Sequence, residues 1–349
     1  MQETITATIG CDLGEKQSTV SILWPDGRME RPKPIKTTAE AMRLFFTRPK
    51  AHVVIEVGTH SRWVSALLEE LGHQVTVANA RRVKLISQSD SKSDQVDSEL
   101  LARLGKADVK LLAPIRHRSM EVQSDLAVPK ARDGLVGCRT KLINSCRGLV
   151  KSFGRRLPKC SAQTFHVKAK EHVPAVLKPA LEPIFQALER IHEAIQKENQ
   201  LIESLAKKYV DVELLSQPSG VGVLTALVFL LTLEDKNRFQ SSRMVGPYLG
   251  LRPRKGQSGD NDPQLRITKA GDPLLRKLLV QCANYILGPF AKESDLRRWG
   301  MELMKRGGKN AKKRARVAVA RKLGVLMHRL WVTGEVYEPV GYAAKRLVA

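Results

Sequence analysis

No stretch of this sequence approaches the roughly 20 consecutive apolar residues that a membrane-spanning helix needs. Its opening, Met1-Gln2-Glu3-Thr4, has no basic leader followed by an apolar run, which argues against a secretory signal. Cysteine is sparse. Cys11, Cys138, Cys146, Cys160 and Cys282 are odd in number, scattered, and form no C-x-x-C pair. That pattern speaks against a disulfide framework or a zinc cluster and makes the cytoplasm the expected compartment. Aromatic residues are only 5% of the chain, which argues against base stacking as the main mode of recognition. The eight histidines fall at no metal-binding spacing and read as structural or surface residues.

Acids are the other deficit. Asp and Glu number 35 against 59 Lys and Arg, a formal charge of +24. A charge of that size fits a polyanionic partner, because each neutralised phosphate releases counterions. Membrane-surface binding and simple solubility are the alternatives. The hydrophobic share of 42% is enough for ordinary packed cores, and 349 residues allow two domains and a connecting segment.

Residues 1–115 read as α/β. Thr4–Cys11 and Ser18–Trp24 are β-rich, and Pro25-Asp26-Gly27 is a turn leading to a third strand. His52–Val57 is a buried strand and Gln74–Ala78 another. Thr38–Phe46, Ser61–Leu71 and Ser93–Leu104 have helical spacing. Two hairpin-like strands followed by strand–helix alternation predict a mixed sheet with flanking helices. Residues 116–210 form a helical connector. In it Leu181, Ile184, Leu188, Ile191, Ile195, Ile202 and Leu205 follow an a/d heptad, with Glu198 in the one missing seam position, so a coiled coil is expected, between chains or as a hairpin. Residues 211–349 form a mainly α C-terminal domain with helices at Leu224–Leu233, Pro273–Leu287 and Asn310–Leu330. A loop rich in Gly, Pro and Asp covers Gly250–Pro263.

In a chain poor in acids, Asp12 and Glu56 each follow a β run, and Asp94 and Asp97 share one face of a helix. Carboxylates gathered in a basic protein repel one another unless a divalent cation joins them. Mg²⁺ prefers such hard oxygen donors together with substrate phosphates, and a pair of ions can serve both the attacking and the leaving oxygen of a phosphodiester. Helix-surface salt bridges for Asp94 and Asp97, and a turn cap for Asp12, are the structural alternatives.

These residues sit in motifs that resemble the insertion sequence one-ten family of transposases. Asp12-Leu13-Gly14, Glu56-Val57-Gly58 and Lys92-Ser93-Asp94-Gln95-Val96-Asp97 look like its DEDD motif, with Leu71-Gly72-His73-Gln74-Val75 between them. Pro218-Ser219-Gly220-Val221-Gly222 resembles the helix-hairpin-helix-like start of its C-terminal domain. Tyr248-Leu249-Gly250-Leu251-Arg252-Pro253-Arg254 and Gln257-Ser258-Gly259 resemble its serine motif, in the form of the eleven-eleven branch. Arg266-Ile267-Thr268-Lys269-Ala270-Gly271-Asp272 and Arg276-Lys277-Leu278-Leu279 continue the likeness. It is collinear over nearly the whole chain. One departure is Ser98, where several relatives have alanine after the fourth acid.

The resemblance implies a RuvC-like domain of the RNase H type at the N-terminus, with Asp12, Glu56, Asp94 and Asp97 as its metal-binding carboxylates and Mg²⁺ as cofactor. It implies that Ser258 is a nucleophile that forms a phosphoserine link to DNA. A noncoding bridge RNA from the element, pairing with donor and target DNA, is implied as a partner, and a homodimer or homotetramer is expected.

Ser258 also reads on its own terms. It lies in a Gly-rich loop bracketed by Arg252, Arg254, Lys255, Arg266 and Lys269, where backbone amides can approach a phosphate and cations stabilise developing charge. A serine hydroxyl needs a base, a metal or strong positioning, and no nearby His supplies the base. The structural alternative is a turn serine. The densest basic segment is 305–322. Its residues Lys309, Lys312, Lys313, Arg314 and Arg316 are expected on phosphates while Ala311, Ala315, Val319 and Leu323 pack, unless the segment is simply a solvated helix face. Two rival functions remain at this stage: a RuvC-like junction nuclease that uses metal-activated water, and a basic scaffold with a decayed site. The four acids argue against the scaffold.

Overall fold

The computed structural model describes residues 5–79, 93–263 and 265–341; Thr4 and Lys92, both named above, fall outside them. The chain divides into two compact units, Met1–His117 and Arg118–Ala349. Among the described residues no helix is long and apolar enough to cross a membrane.

The first unit is mixed α/β. Its sheet contains β1 (Thr8–Leu13), β2 (Gln17–Leu23), β3 (Met29–Glu30), β4 (Ile35–Lys36), β5 (His52–Glu56) and β6 (Gln74–Ala78). The strand order is β3-β2-β1-β5-β6, with β4 also on β2. β1 runs antiparallel to β2 and parallel to β5, which is parallel to β6. Side chains alternate across the sheet. Ile9, Cys11, Val53 and Ile55 belong to a core with Met42 and Phe46 of α1 (Ala39–Phe46) and with Val64, Leu67 and Leu68 of α2 (Ser61–Glu70). Val54, out of phase with them, packs with Leu101 of α3 (Asp94–Ala107) on the other face. Helix α3 lies tight on the strands because two glycines admit it. A methyl group on Gly10 would collide with the Ser98 carbonyl and the Ala102 amide; one on Gly105 would meet Val54, Thr8 and His52.

The second unit is helical. A 33-residue helix, α4 (Met120–Ser152), precedes α5 (Phe165–Lys168) and a 29-residue helix, α6 (Lys178–Ala206). Leu181, Leu188, Ile195 and Ile202, every seventh residue of the seam, are buried. Asp125 accepts hydrogen bonds from Lys208 and Tyr209, and Arg132 donates to Asn199, so α4 and α6 run antiparallel within one chain. Seam residues pack with residues of α4 from the same chain. The pair serves two cores. At one end Ile143, Cys146 and Val150 pack with Leu181, Phe185 and Leu188; at the other, Leu126, Ile202 and Ala206 join the core of the C-terminal helices. Between these ends Ile195 is buried, and so are Arg139 Nε, His192 Nδ1 and Glu198 Oε2, which have no hydrogen-bond partners. Replacing Leu188 and Ile195 together by Asp places charges in this interface, which costs several kcal/mol. The expected result is a lower melting temperature and loss of helical circular dichroism. A variant that melts like the wild type but runs as a smaller species in light scattering would show that the seam joins chains instead.

The remaining helices are α7 (Asp211–Leu215), α8 (Val223–Leu233), α9 (Val245–Tyr248), α10 (Pro273–Ile286), α11 (Asp295–Lys305) and α12 (Ala311–Thr333). Helix α8 is apolar all round and buried from Thr225 to Leu233, as a central helix must be. Gly220, in the turn before it, has φ +85° and sits against Tyr285, so a side chain there would be both strained and obstructed.

Candidate functional site

Strand alternation and helix direction decide where the four acids lie. Asp12 and Glu56 are the even-numbered residues at the C-terminal ends of neighbouring parallel strands, so both face the side of the sheet that α3 covers. Helix α3 runs against β1, since Ser98 and Ala102 lie over Gly10 while Gly105 lies over Thr8. Its first turn, carrying Asp94 and Asp97, therefore lies toward the end where β1 and β5 finish. Ser93 caps that turn by accepting from the Val96 amide, and the Ser98 and Ser21 hydroxyls, 2.7 Å apart, fix the helix to β2. Ser98, the departure noted in the sequence, thus has a packing role.

Asp94 is exposed, Asp12 and Glu56 are half-buried, and Asp97 is 5% exposed with its Oδ1 buried and accepting no hydrogen bond. A buried carboxylate oxygen without a partner is costly. An all-oxygen donor set with one unsatisfied buried oxygen fits a hard divalent cation. Helix-dipole stabilisation of first-turn acids accounts for Asp94, but not for the orphaned oxygen of Asp97. Among the described residues, no three His, Cys, Asp or Glu side chains stand close enough to share an ion as placed. Cys11 adds nothing to the donor set: burial, and then the charge of Asp12, push its thiol up and keep it protonated.

One feature at this end of the sheet went unread in the sequence. The Trp63 indole donates to His60 Nδ1 at 3.1 Å, which leaves the ring proton on Nε2. That nitrogen is 3.4 Å from Glu15 Oε2, an ion-pair distance without hydrogen-bond alignment. The histidines carried no spacing signal because the partners come from the β1–β2 turn and from the start of α2.

Ser258 stands at the tip of a narrow ribbon in the second unit. Hydrogen bonds from Lys269 to Gly250, Thr268 to Arg252 and Arg254 to Arg266 form the ladder, and Ser258 and Asn261 exchange backbone bonds of 3.1 Å at its end. Gly259 turns the tip with φ +56°. Ser258 is exposed, and Asp260 and Asp262 are exposed on the same tip. The ribbon and α12 enclose an open groove of about 840 Å³. Of the cations read from the sequence, Arg266, Lys269, Lys313 and Arg314 line it. Arg252, Arg254, Lys255, Lys309, Lys312 and Arg316 are exposed but outside its lining. Arg306 and Arg321 line it and were not singled out as binding residues, because helical phase alone does not say which side of α12 faces the ribbon.

The chain as a whole is strongly basic, with acidic side chains at one end of the sheet in the first unit and an exposed serine beside Gly259 in the second. Residues 9–154 match the DEDD transposase model of IS110 elements, and residues 212–299 match the model for transposases of the IS116/IS110/IS902 family. The chain is 29% identical to the transposase for insertion sequence element IS1111A of Coxiella burnetii, over 82% of its own length and 79% of the relative's. It is 28% identical to the transposase for element IS1328 of Yersinia enterocolitica, over 79% and 82%. With a probable family 20 transposase of Pseudomonas aeruginosa it shares 26% over 86% and 90%. The chain belongs to the IS116/IS110/IS902 family of transposases, and is thereby an enzyme of DNA cleavage and transfer.

Proposed function

We propose that this transposase is a site-specific recombinase of an insertion sequence, built on a RuvC-like fold of the RNase H type, that cuts and rejoins DNA through a phosphoserine at Ser258. The observation that supports this reading is the placement of Asp12 and Glu56 at the C-terminal ends of β1 and β5, on the face that α3 covers, with the Asp97 oxygen in the first turn of α3 left unsatisfied. The antiparallel β1–β2–β3 meander and the parallel β5 and β6 suit that fold. The chain divides functionally into a carboxylate domain over residues 1–115, a helical connector over 116–210 and a serine domain over 211–349 with a helix-hairpin-helix-like start.

Asp12, Glu56, Asp94 and Asp97 would hold Mg²⁺. Bound there, the ion supplies charge neutralisation at the phosphate and lowers the pKa of an oxygen nucleophile. The chain's own residues do the rest. The Ser258 oxygen bonds to phosphorus while the bond from phosphorus to the leaving strand oxygen breaks; the serine proton ends on that oxygen. One ester replaces another, so rejoining needs no external energy. Arg252, Arg254, Lys255, Arg266 and Lys269 hold the phosphate charge on the ribbon. Lys309, Lys312, Lys313, Arg314 and Arg316 hold flanking backbone.

Sequence choice would be delegated to a noncoding bridge RNA from the element, which pairs with donor and target DNA. The charge of +24 and the scarcity of aromatics support a protein that holds backbones rather than reading bases. The active assembly would be a homodimer or homotetramer at the bacterial nucleoid. The test is a mixture of protein, Mg²⁺, RNA transcribed from the element's flank, and DNA carrying donor and target sites. Recombinant junctions are expected with that RNA and not with an unrelated RNA of equal length. At fixed salt the cognate RNA should also bind more tightly. Equal binding and equal yield with both RNAs would remove guidance from the reading.

A further inference from the structure

We propose that the groove between the ribbon and α12 receives a single unpaired nucleotide of the DNA strand that Ser258 attacks. This rests on the strand-transfer reading and adds a substrate subsite to it.

Two properties of the groove point to this occupant. Its charged wall is of one sign: Arg266, Lys269, Arg306, Lys313, Arg314 and Arg321 line it, and among the described residues no acidic side chain does. Its floor is aliphatic, made by Leu251, Ile267 and Leu303 with Val317 and Ala318 of α12. Helical spacing produces this split. Asn310, Arg314, Val317 and Arg321 fall three or four apart and share one side of α12. Ala311, Ala315, Val319 and Leu323 are buried on another. The stem of Arg321 passes Gly246 so closely that a side chain at residue 246 would push it aside, which fixes where that arginine enters the groove.

A paired duplex matches only half of this surface. It offers phosphates to the cations but keeps its bases stacked, so nothing reaches the aliphatic floor. A lone phosphate leaves the floor exposed to water in the same way. A nucleotide out of its stack offers both parts, a charged backbone for the wall and a base whose faces are poorly hydrated for the floor. Unstacking costs a few kcal/mol, least where the base is already unpaired, and burial on the floor together with the phosphate contacts offsets it. Because no aromatic ring among the described residues lines the groove, the base is held by shape and burial, without the stacking seen on aromatic platforms. The groove shares the ribbon with Ser258, so an unpaired nucleotide seated there lies in the strand near the serine and opens its backbone to in-line attack.

The test reads binding alone, in EDTA, with the full-length protein. Fluorescence anisotropy at fixed salt compares a short paired duplex, the same duplex with internal unpaired nucleotides, the single DNA strand and the matching RNA strand. The duplex with unpaired nucleotides is expected to bind about tenfold more tightly than the paired one, the factor expected from burying about 50 Å² of apolar base surface. Ala318→Trp, which fills the floor, should abolish that preference and leave paired-duplex affinity within about twofold. Val317→Ser, which only makes the floor polar, should weaken the preference and serves if the tryptophan variant melts early. Arg321→Ala should weaken all DNA forms and reduce the salt slope by about one. Equal binding of paired and unpaired duplexes by the wild type overturns the proposal. So does a preference that survives both floor variants, a preference seen only for the RNA strand, or displacement of unpaired DNA by an acidic amphipathic peptide as effectively as by single-stranded DNA. Since no cleavage is read, a serine that proves inert would leave this result standing, and an empty groove would leave the serine chemistry standing.

Discussion

Ser258→Ala is expected to abolish both strand cleavage and the covalent protein–DNA adduct. With a suicide DNA substrate and denaturing electrophoresis, the wild type should yield an adduct that mass spectrometry places on Ser258. The alanine protein should yield none, with cleavage reduced by a factor on the order of 10⁴ or more, as when a nucleophile is removed from an enzyme built around it. Ser258→Cys is expected to keep a trace of adduct, since sulfur is also a nucleophile. The contrast with hydrolysis is sharp. Water as nucleophile releases a free phosphate end and cannot conserve the bond. Wild-type cleavage by the alanine protein would sink the phosphoserine mechanism and leave a metal-dependent junction nuclease in its place.

The second large effect is expected at Asp97. In the metal-free protein the negative charge of this carboxylate is shared by a buried Oδ1 that accepts no hydrogen bond. Asp97→Asn removes that charge with almost no change of shape. The metal-free variant should therefore melt at or above the wild-type temperature. Mg²⁺ should raise the melting temperature of the wild type, by what about 2.7 kcal/mol of binding contributes when the ion is at a hundred times its dissociation constant. The variant should show no such rise. Its cleavage should fall about a thousandfold, the worth of several kcal/mol of transition-state stabilisation by a bound ion. Ca²⁺ should restore the melting shift in the wild type without restoring cleavage. A variant that responds to Mg²⁺ like the wild type would take Asp97 out of the ligand set.

Much of the first unit could be read directly because its signals are local. The apolar run from His52, the β-rich run ending at Cys11 and the helical spacing from Ser93 each depend on a few neighbouring residues, and the strand Gln74–Ala78 matches its expected bounds. The placement of Asp12 and Glu56 at strand ends follows from the same runs. Their sharing a face with Asp97 does not, because it depends on α3 lying antiparallel on two glycines that read as ordinary strand and helix residues. The heptad from Leu181 was legible as a seam but silent about its partner: an apolar stripe looks the same whether the facing helix belongs to this chain or another. The groove was least legible of all. Its wall and floor come from four separated stretches around residues 251, 266, 304 and 314, each of which looks like an ordinary basic or apolar position alone.

The sharing of α4 and α6 between two cores has a mechanical meaning. Pro129, inside α4, cannot donate the backbone hydrogen bond that would continue the ladder there, so the helix is weakened near the end that joins the C-terminal core. Farther along, Arg139 Nε, His192 Nδ1 and Glu198 Oε2 are buried without hydrogen-bond partners, and Ile195 is buried in the same stretch of α6. The pair is thus anchored in a core at each end, with its weakest backbone at Pro129. A displacement at the Phe165–Phe185 end would reach the serine-bearing core by way of the stretch around Pro129, where the ladder of α4 is interrupted.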